Sequence, residues 1–377
     1  MLIGPPNPLP AKGASSTSAL RATNIRAILA ALRLSKVPMT VIEAATATEL
    51  SRPTAEAILA DLAAHGLVSA VDARRAGALG RPPRAYRFAA ERGLAIGVDA
   101  DPREIRAIAA DLSGAGLRRA GATGQFDHAE AAQAAIVSLV EQMAGDGLGA
   151  AKLTITLGLP AIVDADGHAW RSVVVPDWIE QNLPAAIQAA LPGASVAVDN
   201  DANLAAAAEF ANQTVPGAQG LAVIQVGDRV SASLIVDGRL VRGHRGAAAE
   251  IGALGLLRWG KSVDSLKARM ETATIEDCLA STDPGNRAAV DAFAQDLAIG
   301  VAALVLATAP DAVVVGGGLS AAGESLLGPL RQALASRLLY QPTVVAAAHG
   351  GDGVLRGALD CSLERAFAEL ADQAILS

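Results

Sequence analysis

Hydrophobic positions recur with a helical period near the start of the chain. The apolar residues of two such stretches are Ile25, Ile28, Leu29 and Leu32, then Ala55, Ile58, Leu59 and Leu62. Spacings of three and four residues place each set on one face of a helix. A short helix over Thr40–Ala47 is predicted between them, and Ser51 is the expected N-cap of the third helix, with Pro53 in its first turn.

The segment after the third helix has the pattern of a β-hairpin. Leu67–Val71 and Tyr86–Phe88 are predicted strands, so residues 20–90 are expected to form a winged helix-turn-helix. Polar residues at the start of the third helix would face base edges, and basic residues of the hairpin would contact phosphates or the minor groove. The candidate DNA-binding residues are Ser51, Arg52, Thr54, Glu56, Arg74, Arg75, Arg81 and Arg84. The alternative is a small helical domain that docks another protein.

Apolar runs mixed with helical patterns continue from residue 91 to the end and predict an α/β body. The predicted strands are Leu94–Asp99, Arg106–Leu112, Leu153–Pro160, Ser195–Val198, Leu221–Val226, Ser233–Val236 and Ala312–Val315. The predicted helices include Ala129–Met143, Arg287–Thr308 and Gly323–Leu338.

A polar corner stands between the strand Ser195–Val198 and an alanine-rich run that starts at Leu204. Four of the five residues from Asp199 to Asn203 are polar. Such a corner puts carboxylates and amides at the carboxyl end of a strand, where α/β sheets place their ligands. Asn and Asp also cap helices, so a purely structural cap is the competing interpretation.

Composition and charge narrow the class of protein. The chain has 377 residues and a net charge of −7, yet residues 1–90 carry 11 Lys and Arg against 5 Asp and Glu. A basic head on an acidic body is typical of nucleic-acid binding. Residues 1–19, rich in Pro, Gly and Ser, are expected to be a disordered tail, and no membrane span is expected. Cys278 and Cys361 provide no disulfide framework, which fits a cytoplasmic protein.

With these motifs in order, the chain resembles the ROK family (repressors, open reading frames, kinases). The resemblance rests on Gly80-Arg81-Pro82, Asn200–Asn203, the segment Gly243–Gly252 with its three glycines and Glu250, and Gly316–Gly318. It implies two ribonuclease-H-like lobes of the actin and sugar-kinase type over residues 91–377, with sugar bound between them, and a homodimer or homotetramer. It also implies that Asn200, Asp201 and Glu250 contact sugar, with Asp177 in place of a family asparagine and Asp201 at the position of the catalytic base.

The chain departs from the family where kinases hold phosphate. Glycines let backbone N–H groups approach an anion, but the first turn reads Asp99-Ala100-Asp101-Pro102-Arg103-Glu104, without glycine. The second turn, residues 227–232, is also altered. A histidine and cysteines that bind zinc in the family are absent from residues 253–276, so we expect no structural metal and no cofactor.

These departures favour a DNA-binding transcriptional regulator, most simply a repressor, over an enzyme. Its expected partners are a double-stranded DNA operator and a sugar or sugar-derivative effector that is bound but not phosphorylated. Two alternatives stay open from the sequence: a ROK sugar kinase that carries a DNA-binding head, and a regulator that responds to a protein partner.

Overall fold

The N-terminal part of the chain folds into three helices and a small antiparallel sheet. The structure is a computed structural model that describes residues 17–72, 84–145, 152–268 and 283–376. The elements are α1 (Thr17–Leu34), β1 (Met39–Thr40), α2 (Val41–Ala47), α3 (Arg52–Ala64), β2 (Val68–Asp72) and β3 (Arg84–Phe88), and the strand order is β1-β3-β2. α1 begins three residues inside the predicted tail.

Local side-chain hydrogen bonds define where α2 and α3 begin. Thr40 and Glu43 form a reciprocal capping box at the start of α2. Ser51 caps α3 by accepting a hydrogen bond from the Thr54 N–H, and Pro53 lies in its first turn. The apolar positions predicted for α1 and α3 are buried.

The first lobe contains a five-stranded mixed sheet with the order β10-β7-β4-β5-β6. Strands β4, β7 and β10 are parallel, so their carboxyl ends share one edge. The strands of this sheet are β4 (Gly93–Ala100), β5 (Glu104–Asp111), β6 (Arg118–Thr123), β7 (Lys152–Leu159) and β10 (Ser195–Asn200). A separate hairpin consists of β8 (Ile162–Val163) and β9 (Ala169–Arg171). The helices of the lobe are α4 (Ala129–Ala144), α5 (Pro176–Glu180) and α6 (Leu183–Ala190).

The second lobe repeats this plan, with the strand order β13-β12-β11-β14-β15. Strands β11, β14 and β15 are parallel, so their carboxyl ends also share an edge. The elements are β11 (Leu221–Val226), β12 (Val230–Val236), β13 (Arg239–Leu240), β14 (Ala312–Gly316), β15 (Thr343–Ala346), α8 (Trp259–Ala268), α9 (Pro284–Thr308) and α10 (Glu324–Ala335).

Two helices, α7 (Asp201–Ala211) and α11 (Gly353–Leu376), pack against each other and join the lobes. α7 contacts β11 and β12 of the second sheet, while α11 lies across β4 and β7 of the first. The packing is close enough to require glycine. A Cβ at Gly97 would lie 2.4 Å from the Leu359 nitrogen, and one at Gly357 would lie 2.0 Å from the Leu204 oxygen.

The apolar core of the N-terminal part continues into the body through α11. Buried residues of α1, such as Ile25 and Leu29, belong to the same cluster as Leu359 and Leu370 of α11. Arg33 of α1 also forms a salt bridge of 2.5 Å with Glu364. The N-terminal elements therefore rest on the helix that connects the two lobes.

Helix α9 is long and apolar enough to span a bilayer by length and composition, but 56% of its most apolar window is buried in the protein. Phe293, Leu297 and Val301 belong to the core of the second lobe. α9 is therefore a core helix that covers one face of the second sheet. The α/β fold with two lobes agrees with the sequence-based prediction.

Candidate functional site

The polar corner lies at the carboxyl end of β10, where α7 begins. Asn200 is the N-cap: its Oδ1 accepts a hydrogen bond from the Asn203 N–H at 3.0 Å, and its Nδ2 donates to the Ala161 carbonyl at 3.0 Å. Asn200 thus has the capping role, and both polar atoms of its side chain are engaged within the protein. The next residue, Asp201, is the first of α7 and stands at the edge where the strands end.

The Asp201 carboxyl is held in an environment that disfavours its charge. Burial raises its pKa from 3.8 to about 7, against the opposing effects of the Ala202 N–H and the positive charge of Arg229. The negative charges of Asp99 and Glu250 raise the pKa further. A carboxyl with a pKa near neutrality is suited to accept a proton in catalysis, because both protonation states are accessible at physiological pH.

The other two predicted sugar-binding carboxylates occupy different surroundings. Glu250 begins a 3₁₀ turn after β13, and partial burial raises its pKa. Its charge acts on Asp201, so the two carboxyls belong to one site. Asp177 instead accepts a 2.7 Å hydrogen bond from the Ala129 N–H at the start of α4. The neighbouring Trp178 is fully buried and donates to the Phe126 carbonyl, so it is a core residue.

The turn between β4 and β5 has its backbone N–H groups occupied. The Asp101 N–H donates to the Glu104 carbonyl, Pro102 has none, and the Arg103 N–H donates to the Asp101 Oδ1 at 2.9 Å. This agrees with the expectation that the turn lacks a backbone phosphate cradle.

Two ion pairs connect this turn to the turn between β11 and β12 in the other lobe. Arg229 reaches Asp101 at 2.7 Å, and Arg103 reaches Asp228 at 2.8 Å. The partners lie more than a hundred residues apart in sequence. The strand ends of the two lobes therefore face each other across a narrow gap that Asp201 borders.

A more buried arginine lies beside these pairs. Arg106 of β5 donates to Asp99 at 2.5 Å, to Asp352 at 3.0 Å and to the Gly351 carbonyl at 2.7 Å. Asp352 lies just before α11, so Arg106 ties the first sheet to the start of that helix. Burial raises the pKa of Asp99, and the adjacent Arg106 opposes that shift.

Glycines line the facing edge of the second lobe. Gly227 follows β11, Gly316 ends β14 and Gly317 and Gly318 follow it, and Gly350 and Gly351 follow β15. A Cβ at Gly317, where φ is +80°, would lie 2.4 Å from the Val226 carbonyl oxygen. Gly317 therefore has to lack a side chain for the ends of β11 and β14 to approach each other, and the glycines together leave backbone exposed to a ligand along this edge.

Three polar contacts that sequence reasoning missed hold this region together. Glu209 is fully buried and accepts hydrogen bonds from the Ala348 and His349 N–H groups at 2.8 and 2.9 Å. Asp199 forms a bidentate ion pair with Arg242 at 2.6 and 2.7 Å. Asn203 of α7 accepts from Ser233 of β12 at 2.7 Å. Asp199 and Asn203 belong to the polar corner seen in the sequence, but no local pattern marks the partners of these residues or of Glu209.

Among the described residues, one group could offer three ligands to a metal ion. Asp164, Asp166 and His168 place their ligand atoms within 4.8 Å of one another in the β8–β9 turn. The Asp164 Oδ1 already accepts hydrogen bonds from the backbone N–H groups of Asp166 and His168, so this cluster organises a turn.

The predicted DNA-binding residues lie in the N-terminal elements. Arg52 and Glu56 are exposed on the first turns of α3, and the Ser51 and Thr54 hydroxyls are 2.7 Å apart. Arg84 starts β3. The remaining three, Arg74, Arg75 and Arg81, lie outside the described residues.

Comparison with known proteins agrees with the resemblance seen in the sequence. The ROK family profile matches residues 95–261 and 256–364. A glucokinase of Streptomyces coelicolor is 26% identical over 318 residues, which is 72% of this chain and 98% of that protein. A glucokinase of Halalkalibacterium halodurans is 29% identical over 47% of this chain and 65% of its own length. An N-acetyl-D-glucosamine kinase of Vibrio parahaemolyticus is 28% identical over 54% of this chain and 79% of that protein.

Solved structures resemble either the body or nearly the whole chain. A ROK family glucokinase from Streptomyces griseus, in complex with glucose and AMPPNP, has a TM-score of 0.58 and 24% identity, covering 71% of this chain and 99% of its own. A ROK family transcriptional regulator, a homologue of the E. coli MLC protein, has a TM-score of 0.70 and 16% identity, covering 94% of this chain and 99% of its own. Both likenesses concern the fold.

The relatives require a correction. The sequence predicted a regulator that binds sugar without phosphorylating it and is not an enzyme, chiefly because the glycine-rich phosphate turn is missing. That prediction is wrong, since the curated relatives are named as glucokinases and an N-acetyl-D-glucosamine kinase. The loss of a backbone cradle in one turn does not by itself exclude phosphate binding by other groups, so the prediction did not follow from that turn alone.

Proposed function

Because this chain belongs to the ROK family, we propose that its body is a sugar kinase, which transfers the terminal phosphoryl group of ATP to a hydroxyl of a hexose. One observation carries the proposal: Asp201, at the edge between the lobes, has a pKa raised to about 7 and lies within the electrostatic reach of a cation, Arg229. The glucokinases among the relatives make glucose the first substrate to test, followed by N-acetyl-D-glucosamine.

Asp201 acts as the general base. Its carboxylate accepts the proton of the attacking sugar hydroxyl as the sugar oxygen bonds to the γ-phosphorus. The bond from that phosphorus to the oxygen bridging the β- and γ-phosphates breaks, and ADP leaves with the bonding electrons. Such transfer depends on positioning and on neutralising phosphate charge rather than on covalent catalysis, and magnesium commonly accompanies the nucleotide.

The sugar lies against Asp201 and Glu250, whose carboxylates accept hydrogen bonds from its hydroxyls. Asn200 fixes the corner from which Asp201 projects, because its side chain caps α7 and bonds to the Ala161 carbonyl. Asp177 supports the same lobe at the start of α4 through its Oδ2, which accepts the Ala129 N–H, and its other oxygen can accept a hydrogen bond from a sugar hydroxyl.

A coupled assay of ADP formation with purified full-length chain, magnesium–ATP and a panel of hexoses tests the kinase proposal. The panel contains glucose, mannose, N-acetyl-D-glucosamine and N-acetyl-D-mannosamine. We expect turnover with at least one sugar, and a loss of roughly 10²–10⁴-fold in Asp201→Asn, the range typical of general-base catalysis. ADP formation that no sugar in the panel stimulates contradicts the proposal.

We further propose that residues 20–90 form a winged helix-turn-helix that binds double-stranded DNA. The support is the basic charge of residues 1–90, the capped helix α3 with Arg52 exposed at its start, and the coverage of this region by the regulator's fold. Ser51, Thr54 and Glu56 accompany Arg52 at the bases, and Arg74, Arg75, Arg81 and Arg84 supply phosphate contacts. A cytoplasmic homodimer or homotetramer fits this arrangement.

Genomic fragments selected by the purified chain provide the DNA for a gel-shift titration at fixed salt. Arg52→Ala is expected to weaken binding by about tenfold or more, as for loss of one base contact. Lys36→Ala removes an equal charge from an exposed loop of the same region and is the matched control. Equal effects of the two substitutions contradict the placement of α3 on DNA. Sedimentation analysis determines the oligomeric state.

A further inference from the structure

The phosphate-binding groups of the proposed kinase site are not in the backbone of the β4–β5 turn. Each N–H from Asp101 to Arg103 is absent or already donated within the turn. The phosphates of a nucleotide nevertheless have to lie beside Asp201, because the transferred group must meet the sugar hydroxyl that this carboxylate holds. On the first-lobe side of the site, the charge of the phosphates therefore has to be met by side chains, opposite the glycine-lined edge of the second lobe.

Two arginines of the facing turns are placed to do this. We propose that Arg229 and Arg103 bind the β- and γ-phosphates of the nucleoside triphosphate, and that Asp101 and Asp228 hold these arginines in place until the nucleotide arrives. This inference rests on the proposed kinase function. Guanidinium groups suit it because they bind phosphate oxygens through two parallel N–H groups.

Arg229 is the better placed of the two for the transferred phosphoryl group. It bonds to Asp101 at 2.7 Å, and its positive charge acts on Asp201 as well. The Arg229 guanidinium contacts Asp101 of the β4–β5 turn and acts on the proposed base, Asp201. It is therefore near the γ-phosphate that has to meet the sugar hydroxyl at Asp201. Arg103 extends from the opposite turn, the one that carries Asp101, and bonds to Asp228 at 2.8 Å.

The exposure of the two ion pairs favours an exchange of partners. Arg103 and Asp228 side chains are 74% and 46% exposed, and those of Arg229 and Asp101 are 39% and 31% exposed. Exposed ion pairs contribute little stability, so a multiply charged phosphate displaces the carboxylates at small cost. Arg106 differs, because it is less exposed and bonds to three acceptors, and it keeps a structural role.

Opposite effects of two substitutions in one ion pair test the inference. We expect Arg229→Gln to weaken binding of the magnesium complex of AMPPNP by about 10- to 100-fold in calorimetry, the range for a hydrogen bond between charged groups. We expect Asp101→Asn to tighten it several-fold, since Arg229 is then free of its competitor and one repelling charge is gone. Arg103→Gln should weaken binding by a smaller factor, because Arg103 is more exposed.

The control is Arg87→Gln, which removes an arginine from an exposed ion pair with Glu91 in the N-terminal part of the chain. It should leave AMPPNP affinity unchanged. If Asp101→Asn weakens binding as much as Arg229→Gln, the ion pair only braces the two turns and the inference is overturned. Unchanged affinity in Arg229→Gln overturns it as well, as does a parent protein that binds no AMPPNP.

Parallel turnover measurements separate this inference from the proposed function. If the parent protein and its variants bind AMPPNP with the expected pattern of affinities but the parent phosphorylates no sugar, the arginine site stands and the kinase proposal is refuted. If the parent protein phosphorylates sugar but its variants bind AMPPNP as tightly as the parent does, the kinase proposal stands and the arginine site is refuted.

Discussion

Replacing Asp201 with asparagine removes a charge that the fold makes costly while it keeps the shape of the side chain. The Asp201 Oδ1 accepts the Ala202 N–H at 2.7 Å, and an asparagine oxygen can accept the same bond. Burial raises the pKa of the carboxyl from 3.8 to about 7, so the folded protein disfavours the ionised form. The substitution should therefore stabilise the protein above the range in which this carboxyl titrates.

The size of the effect follows from the difference between the folded and unfolded pKa values. A shift from 3.8 to about 7 corresponds to roughly 4 kcal/mol at 1.36 kcal/mol per unit. The parent accumulates this penalty as pH rises from about 4 to 7, because the unfolded carboxyl releases its proton first. Because Asp201 is partly accessible to solvent, we expect a gain of about 2–4 kcal/mol for the variant at pH 8 and almost none near pH 4.

Urea unfolding of both proteins at several pH values between 4 and 8 measures this difference. Asp372→Asn, which neutralises an exposed carboxylate on α11, is the control and should show no comparable gain. The variant should also lose phosphoryl-transfer activity. The gain in stability and the loss of activity would then both follow from replacing one carboxylate oxygen of Asp201 with an amide nitrogen. A free energy of unfolding that differs by the same amount at pH 4 and pH 8 would refute the assignment of a raised pKa to Asp201.

Three further predictions concern the site and its supports. In the parent enzyme, kcat/KM for sugar should fall about tenfold per pH unit below roughly 7, as Asp201 takes up its proton, and a pH–rate profile flat from 5 to 8 contradicts this. Glu209→Ala should lower the free energy of unfolding by about 3 kcal/mol, since two buried backbone N–H groups lose their acceptor, whereas Glu209→Gln should cost less; urea unfolding distinguishes the two. Gly97→Ala should cost about 2 kcal/mol or more because its Cβ would lie 2.4 Å from the Leu359 nitrogen, and an unchanged midpoint refutes the close packing.

The sequence alone was sufficient for features that depend on near neighbours. Apolar runs predicted the buried central strands β4, β7, β11 and β14, because strands covered on both faces consist of apolar residues without alternation. The Ser51 cap was predicted because its hydrogen bond spans three residues, whereas a cap at the corner of Asn200 was only the competing interpretation to a sugar contact. The short or polar edge strands β6, β8, β9, β13 and β15 were missed, since they carry little periodic signal.

The tertiary structure decided what the polar residues do. Asn200 and Asp201 are adjacent in the sequence, yet one is a cap bonded within the protein and the other a carboxyl with a raised pKa. The ion pair between Arg229 and Asp101, which are 128 residues apart, could not be predicted from the sequence of either turn. The pKa of a side chain depends on its burial and on all the charged groups that folding brings close to it. Most of these groups lie on other elements of the fold. The sequence therefore determined the helices, the central strands and the family, whereas the folded arrangement of the two lobes determined the raised pKa of Asp201 and the partners of the arginines beside it.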